Sequence, residues 1–404
     1  MFGDAKNAGN IDYCGAWYMK AARYTEKTKA RCAFVSTNSI CQGEQVANLW
    51  KPLFDLGMHI DFAHTTFRWD SEASDKAHVF CVIVGFSRES VGKRLFVHSS
   101  PDVPESLVKP GSINAYLADA PDVFVWNRSN PLCDVPKIGI GNKPIDGGNY
   151  LFGTAEKDAF LDVEPAAAEL FHPWIGSREF LHGEERWCLW LGDADSEKLE
   201  SLPNCRARIE AVRQYRLSSK SASTRKIADR PAHFHVENMP EGNSIIIPEV
   251  SSERRRYIPM GFIGHEILCS NLVRLIPDTT LYHFGVLQSQ FHNAWMRTVA
   301  GRLKSDYRYS GGIVYNNFIW PDPTFEQRDA IEQCAQGVLG ARDSHPDATL
   351  ADLYDPDKMP ADLLAAHKAL DAAVEAAYGV DFNGDEEKIV AHLFKLYAEK
   401  TASK

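Results

Sequence analysis

Apolar positions along this chain fall into two textures, and the first occupies residues 1–100. Ile11–Thr25 carries Trp17, Ala21 and Tyr24 at helical spacing, with Asp12 near its start, and predicts an amphipathic helix. Arg31–Ser36 is a short apolar run that predicts a buried strand, with the polar tip T-N-S-I beyond it. Glu44–Leu56 predicts a second helix, bent or broken at Pro52, with Gly57 as its C-cap. Ile60–His64 predicts another strand, followed by a loop over Thr65–Lys76. Ala77–Phe86 (AHVFCVIVGF) is near-continuously apolar, as in a sheet covered on both faces. Helix, strand, helix, strand, loop, strand is the order of a doubly wound α/β sheet. No glycine-rich strand-to-helix turn precedes it, so the segment reads as the second half of such a domain.

The second texture is irregular. Pro101–Pro110 is proline-rich and polar and predicts a domain boundary. Beyond it, Val123–Trp126, Asn149–Phe152, Trp187–Leu191 and Ser244–Ile247 are short β-type runs separated by turn formers. Asn204–Arg216 predicts a helix with Pro203 ahead of it and Asn204 as N-cap. Ser289–Arg302 predicts a helix and Val314–Pro321 a strand. From Thr324 the pattern is helical, over Glu326–Leu339, Met359–Tyr378 and Glu386–Lys400, and Leu363, Leu364, His367, Leu370, Ala373 and Val374 form the apolar stripe of the middle helix. The expected architecture is an α/β half-sheet (1–100), an α+β module (101–321) and a small helical domain (322–404).

Composition narrows the chemistry. With 404 residues, 44% hydrophobic and 24% charged, the chain is an ordinary folded protein, and a net charge of -10 gives no global signal for nucleic acid. Nine cysteines without C-x-x-C spacing suit reduced thiols in a cytoplasmic protein. No apolar run is long enough to span a bilayer and no secretory signal is recognisable, so no membrane partner is expected. His233-x-His235 lacks a third ligand at a recognisable spacing, and the calcium-like Asp381–Asp385 has its glycine at the wrong position; neither is expected to hold a metal. Gly139-Ile140-Gly141 stands in a loop-like, proline-flanked context and reads as a turn.

Local charge says more. Gly301–Tyr309 (GRLKSDYRY) sets Lys304, Asp306 and Arg308 at alternate positions, with Tyr307 and Tyr309 between them. On an extended backbone the three charged side chains share one face. A G·C pair offers O6 and N7 acceptors on guanine and an N4 donor on cytosine, which Lys304 and Asp306 match, while Arg308 can fork onto another guanine. The same spacing also fits an exposed strand with ion pairs. Arg206–Arg230 adds Arg206, Arg213, Arg216, Lys220, Arg225 and Lys226 against few acids, and Arg254-Arg255-Arg256 follows. Such runs bind phosphates or form solvated faces, and phosphate is the preferred reading for Arg254 and Arg255 as well. Glu249, after an apolar strand, suits cytosine N4 or a strand-end cap; Asn271, in a C-S-N-L turn, suits a base edge or the turn itself.

The segments ARCAFVSTNSICQG, IDFAHTTFRWD and AHVFCVIVGF resemble the back half of an adenine-N6 DNA methyltransferase, in particular the fused restriction–modification enzymes of the MmeI type. GNKPIDGGNYLF, REFLHGEERWCLWL and IIIPEVSSERRRYIPMGF resemble the target-recognition domain of the same enzymes. The resemblance implies that Phe67 or Trp69 stacks on a base taken out of the duplex; both also read as core aromatics. It implies base-edge contacts from Glu249, Asn271, Leu272, Lys304, Asp306 and Arg308. It implies double-stranded DNA as partner and S-adenosylmethionine as the parent's methyl donor. The chain contains no N-P-P-aromatic tetrapeptide and no donor-binding loop, so no catalytic residue is assigned and no tight cofactor binding is expected here. The missing methyltransferase/nuclease part would be supplied in cis or by a separate chain. Alternatives are a stand-alone specificity subunit and an inactive split-gene remnant.

Overall fold

The computed structural model describes residues 9, 11–70, 78–89, 92–98 and 106–402. The far end of the expected Thr65–Lys76 loop (71–76) and the first half of the proline-rich boundary (101–105) lie outside them.

The N-terminal part runs α1 (Tyr13–Tyr24), β1 (Cys32–Thr37), α2 (Gly43–Asp55), β2 (His59–Asp70), β3 (His78–Ser87), β4 (Arg94–Val97) and β5 (Ser106–Val108). The strand order is β1-β3-β2-β4-β5, with β3 antiparallel to both neighbours. β1 and β2 are therefore parallel and joined by α2, a crossover unit with β3 inserted. The proline-rich boundary contributes β5 to this sheet and is not a bare linker. Strand β2 also outruns its expected end. An irregularity between His64 and Phe67 puts an extra residue at Thr65–Thr66, and pairing then resumes to Asp70.

One face of this sheet packs on the helices. The Tyr18 ring sits 5.1–5.4 Å from Phe34, Trp50 and Phe86, and its hydroxyl shares a 2.8 Å hydrogen bond with Ser36. Each aromatic pair adds about 0.5–1.5 kcal/mol beyond area burial. The expected stripe on α1 is corrected: Gly15, Tyr18, Met19 and Ala22 face the core, while Trp17 and Tyr24 are 50% and 89% exposed. Aromatics occupy both sides of α1, so periodicity alone could not choose its buried face. Val82, Val84 and Phe86 are buried on one face of β3, and on the other Cys81 is buried and Ile83 half-buried; that second face opens at Val79, 42% exposed, and at Val35 on neighbouring β1, 52% exposed.

The middle part carries β6 (Gly139–Ile140), β7 (Leu151–Phe152), α3 (Thr154–Val163), β8 (Phe171–Ile175), α4 (Ser177–His182), β9 (Trp187–Leu189), α5 (Ser196–Glu200), α6 (Pro203–Leu217) and α7 (Ala222–Arg225). It continues with β10 (Ser244–Pro248), β11 (Val250–Ser251), β12 (Gly261–Ile263), β13 (Leu268–Cys269), β14 (Val273–Pro277), α8 (Leu281–Gln288), α9 (Gln290–Val299), β15 (Gly301–Leu303) and β16 (Asp306–Arg308). Three small sheets result, β12-β10-β14-β6, β13-β8-β9-β7 and β11-β16-β15. Gly141 lies where the backbone crosses Cys269 and Ser270 so closely that a Cβ would come within 2.3 Å of the Ser270 carbonyl oxygen. The G-x-G therefore serves chain packing. The N-terminus of α6 is capped from afar: Glu164 accepts from the amides of Asn204 and Cys205 at 2.7 and 3.1 Å, and Leu202, not Asn204, is the N-cap.

Two expected strands are not strands. Val123–Trp126 is a strap whose polar groups meet side chains: Val125 donates to the Tyr116 hydroxyl at 3.1 Å, and the Trp126 carbonyl accepts from Asn317 at 2.9 Å. Val314–Pro321 begins in a π-helical turn (Gly311–Tyr315) and continues as buried coil held by Asn316 and Asn317. Both are apolar because they are buried, and burial in the absence of a ladder mimics a strand in sequence. The C-terminal part is helical as expected, with α10 (Phe325–Asp343), α11 (Leu350–Leu353), α12 (Ala361–Ala377) and α13 (Glu386–Ala402). In α12 the buried stripe is Leu363, His367, Leu370 and Val374, and the Asp385 carboxylate accepts from the Lys388 amide at 3.2 Å, so that turn caps α13. One hydrophobic core runs from Tyr18 through Ile247 and Trp295 to Phe394, joining the N-terminal sheet, the middle and the C-terminal helices. A second core gathers around Tyr150, Trp174, Trp190 and Phe234, and a small third one around Ile246, Val273 and Leu275 lies on the β12-β10-β14 sheet.

Candidate nucleic-acid interface

Gly301–Tyr309 is a hairpin and not one extended stretch. Leu303 pairs with Asp306, Arg302 with Tyr307 and Gly301 with Arg308, and Lys304 turns the corner in the left-handed region at φ 58°. The L-K-S-D turn carries no Asn-Gly or Asp-Gly signal, which is why the pattern reads as a continuous strand. Alternation holds within β16: Tyr307 and Tyr309 are 6% and 0% exposed, and Asp306 and Arg308 stand on the other face. It fails for Lys304, which is exposed at the tip. The Tyr309 hydroxyl meets His292 Nε2 at 2.8 Å, and complete burial pushes the His292 imidazole down to about 3, so it stays neutral.

Three elements meet beside the hairpin. The Glu249 amide donates to the Leu272 carbonyl at 3.1 Å, and the Tyr309 amide donates to the Glu249 carbonyl at 2.7 Å. β10–β11, the turn before β14 and β16 are thus stitched edge to edge. The Glu249 carboxylate, 11% exposed, lies between two guanidiniums: Arg308 Nε at 2.8 Å and Arg274 at 3.0 Å. Arg308 keeps 60% of its side chain in solvent. Its terminal nitrogens are therefore held ready by a buried carboxylate, and half of the carboxylate's roughly four acceptor positions remain. Leu272 is 57% exposed on the same turn as Asn271, whose backbone N–H donates to the Asn142 carbonyl at 2.8 Å. Asp306 accepts from the Glu253 amide at 3.4 Å and faces Arg255, whose guanidinium is pushed down by burial and partly restored by Asp306 and Asp355.

The basic residues part company. Arg206, Lys220, Arg225 and Lys226 are exposed, and Arg225 also ties its loop by donating to the Ser219 and Lys220 carbonyls at 2.7 and 3.0 Å. Arg213 is half-exposed and pairs with Glu210 at 3.4 Å. Arg254 pairs with Asp357 and, at 3.8 Å, with Asp355. These are surface pairs worth at most about 1 kcal/mol, so a phosphate can replace them. Arg216 is the correction. It is 0% exposed and donates to the carbonyls of Pro144, Ile145, Ile227, Arg230 and His233 at 2.7–3.0 Å. Every polar group it has is spent inside the fold, so it is no phosphate ligand.

Phe67 and Trp69 stand at the end of β2, and neither is a core residue. Phe67 is half-buried and stacks on His98 at 5.4 Å, while Trp69, 6.2 Å from Phe67, is 52% exposed. His64 stacks on Phe96 at 4.2 Å behind them. Between this aromatic face and the hairpin lies a crevice of about 130 Å³, whose lining includes Gln42, Thr65, Thr66, Tyr116, Arg297 and Arg302. Gly43, at φ 56°, pins the hairpin root to α2: a Cβ there would stand 3.2 Å from the Gly301 Cα. Arg274, Arg302 and the Gly43–Gly301 contact escape sequence reasoning. Only the lone arginine in the apolar strand V-R-L-I-P hints at the first. A larger cavity of about 320 Å³ lies on the second core, lined by Glu169, His172, Trp190, Asp193 and Lys198, away from these elements. Among the described residues no cluster of three or more His, Cys, Asp or Glu could hold a metal, and no helix is long and apolar enough to cross a membrane.

Three family models match the chain in order: "MmeI, DNA-methyltransferase domain" over residues 1–97, "MmeI, target recognition domain" over 119–322 and "MmeI, C-terminal domain" over 324–403. DNA methyltransferase A of Bacillus subtilis (strain 168) is 42% identical over 404 residues, which cover 99% of this chain and 45% of that protein. A solved structure of the Type IIL restriction-modification enzyme MmeI in complex with DNA superposes with a TM-score of 0.92 at 43% identity, covering 99% of this chain and 54% of that one. The chain thus spans about half the length of the relatives it matches. By its sheet, its recognition module and its helical end alike, the chain belongs to the MmeI family.

Proposed function

We propose that this chain is the sequence-reading part of a site-specific DNA methyltransferase that works within a restriction–modification enzyme and methylates adenine at N6. The observation that carries the reading is the Arg274–Glu249–Arg308 cluster beside the hairpin. A buried carboxylate fixes an exposed guanidinium fork, with Asp306, Lys304, Asn271 and Leu272 on the adjoining turns. A fork held in advance loses little entropy on meeting a guanine edge, and each such contact discriminates by about 1–3 kcal/mol. In this reading residues 1–100 present the stacking face of Phe67 and Trp69, 101–321 read the duplex, and 322–404 brace the reading part. Arg206, Arg213, Lys220, Arg225, Lys226, Arg254 and Arg255 supply phosphate contacts.

S-adenosylmethionine would be held by the upstream part of the parent enzyme. The residues present here do not fit it: the crevice near Phe67 is about 130 Å³, below the roughly 300 Å³ at which pockets for such ligands begin. The upstream part, in the same polypeptide or a separate one, has a surface to meet. β1 is one of the two edge strands of the N-terminal sheet among the described residues, and Tyr13, Trp17 and Tyr24 on the neighbouring α1 are 82%, 50% and 89% exposed. Selection of duplexes from a random pool at two salt concentrations tests the function. The expected result is one short motif retained at the higher salt; random sequence at both would refute the reading.

A further inference from the structure

The crevice under the hairpin holds a cation, Arg302, that no acidic group among the described residues neutralises. Arg302 follows Gly301 directly, so the Gly43 contact fixes its place. It donates to the Ser305 carbonyl at 3.0 Å and its guanidinium lies 3.7 Å over the Tyr307 ring. Its Nε is buried without a hydrogen-bond partner. Both contacts are local to the hairpin and neither brings a negative charge. Arg297, the other cation of the crevice, differs: Glu386 grips it bidentately at 2.8 Å, and it also donates to the Arg256 carbonyl at 2.6 Å. A buried donor left unpaired costs about 1–3 kcal/mol, and an anion entering the crevice would remove that cost.

The opposite wall supplies donors. The extra residue in β2 brings Thr65 and Thr66 to the crevice. Thr65 Oγ1 accepts from the His98 amide at 2.8 Å and Thr66 Oγ1 from the Asn38 amide group at 3.5 Å, so each hydroxyl keeps its own hydrogen to give. Gln42 adds an amide, and among the described residues no carboxylate lines the crevice. An uncompensated guanidinium, two hydroxyls and an amide in about 130 Å³ suit a phosphate group and are too confined for a nucleoside.

On the proposed reading, the anion at hand is the DNA backbone. We infer that Arg302 is a positioning residue that seats one backbone phosphate in this crevice, with Thr65 and Thr66, and so fixes the strand between the reading hairpin and the stacking face of Phe67. A nucleotide leaves the duplex by rotating about its backbone, and a phosphate gripped at that point sets where the rotation occurs.

The test uses the duplex selected by this chain, with single methylphosphonates, which lack the phosphate charge, placed along both strands. Wild type should lose about tenfold in affinity at one position, as expected for a charged hydrogen bond. Arg302→Gln should bind the natural duplex about tenfold more weakly, show no further loss at that position, and have a salt slope shallower by about 0.9. Arg302→Lys should restore most of the affinity, and the selected base motif should not change. Thr66→Val, on the other wall, should couple to the same phosphate and decides the matter if the Gln variant does not fold. Additive losses at every position, for both Arg302→Gln and Thr66→Val, would overturn the inference while leaving the reading function intact. Failure of wild type to select any motif would instead remove the reading function, and the inference with it.

Discussion

Arg216→Ala separates the two roles that a basic residue in α6 can have. The side chain is out of solvent and its guanidinium donates to five backbone carbonyls drawn from residues 144–145 and 227–233. Those segments close over the second core. Truncation leaves the Pro144, Ile145 and His233 carbonyls without this donor, while the Ile227 and Arg230 carbonyls keep the backbone amides of Arg230 and His233 at 3.3 and 3.2 Å. At about 1–3 kcal/mol for each orphaned group the simple sum is about 3–9 kcal/mol, a large part of the stability of most domains. Relaxation and water entry reduce it, and removal of one partner from a buried charged network costs about 3–5 kcal/mol in practice. That range is the prediction for urea unfolding followed by tryptophan fluorescence, since Trp174 and Trp190 lie in the affected core. Arg216→Lys should recover only part of it, because an ammonium cannot span carbonyls on several sides. The folded fraction should keep the wild-type dependence of log K on log salt. Arg206→Gln with Lys226→Gln, both exposed, should do the reverse, shifting stability by no more than about 0.5 kcal/mol and lowering the salt slope by up to about 1.8. An Arg216→Ala protein as stable as wild type, with a shallower slope, would refute the reasoning.

Other outcomes follow from the same geometry. His292 titrates near 3 when folded against 6.5 when exposed; between those values the unfolded chain holds a proton that the folded chain refuses, so stability is complete above about pH 6.5 and falls as pH drops toward 3. Urea midpoints from pH 7 to 4 should decline for wild type and decline less for His292→Gln; parallel curves would contradict this. Gly43→Ala should lose about 1–2 kcal/mol for its left-handed backbone and blur base discrimination by displacing the hairpin root, whereas Gly301→Ala, whose added Cβ would meet no atom within 4 Å, should do neither; melting curves and duplex selection check both. The isolated chain should neither bind S-adenosylmethionine tightly nor methylate DNA, and measurable turnover by the purified protein would overturn that.

The helices and the crossover sheet were legible because their periods were long and their ends marked. Gly57 closes α2 in the left-handed region, as its place after Leu56 suggested. Leu363, His367, Leu370 and Val374 form a stripe that only one face can bury. The failures share a cause. Val123–Trp126 and Val314–Pro321 are apolar for reasons of burial, with side chains standing in for a ladder. The buried face of α1 is set by what packs on it, and both of its faces are aromatic. Arg216 and Arg206 are ten residues apart in one basic run, yet one organises loops and the other meets solvent. Charge in a sequence has no depth until the fold assigns it. The same limit hid Arg274 and Arg302, whose importance lies in the carboxylate that one shares and the other lacks.

The central claim is that the hairpin tip and β16 read base identity in duplex DNA. Duplex selection with wild type and with the double variant Lys304→Glu, Asp306→Arg tests it most directly. Lys304 is exposed, and Asp306 accepts one long hydrogen bond of 3.4 Å from the Glu253 amide and faces Arg255, so urea midpoints are compared alongside to show that the swap leaves the protein folded. With about 1–3 kcal/mol at stake in each contact, the account predicts that the last base of the motif changes while the remaining positions persist. Two identical motifs, from two equally folded proteins, would contradict it.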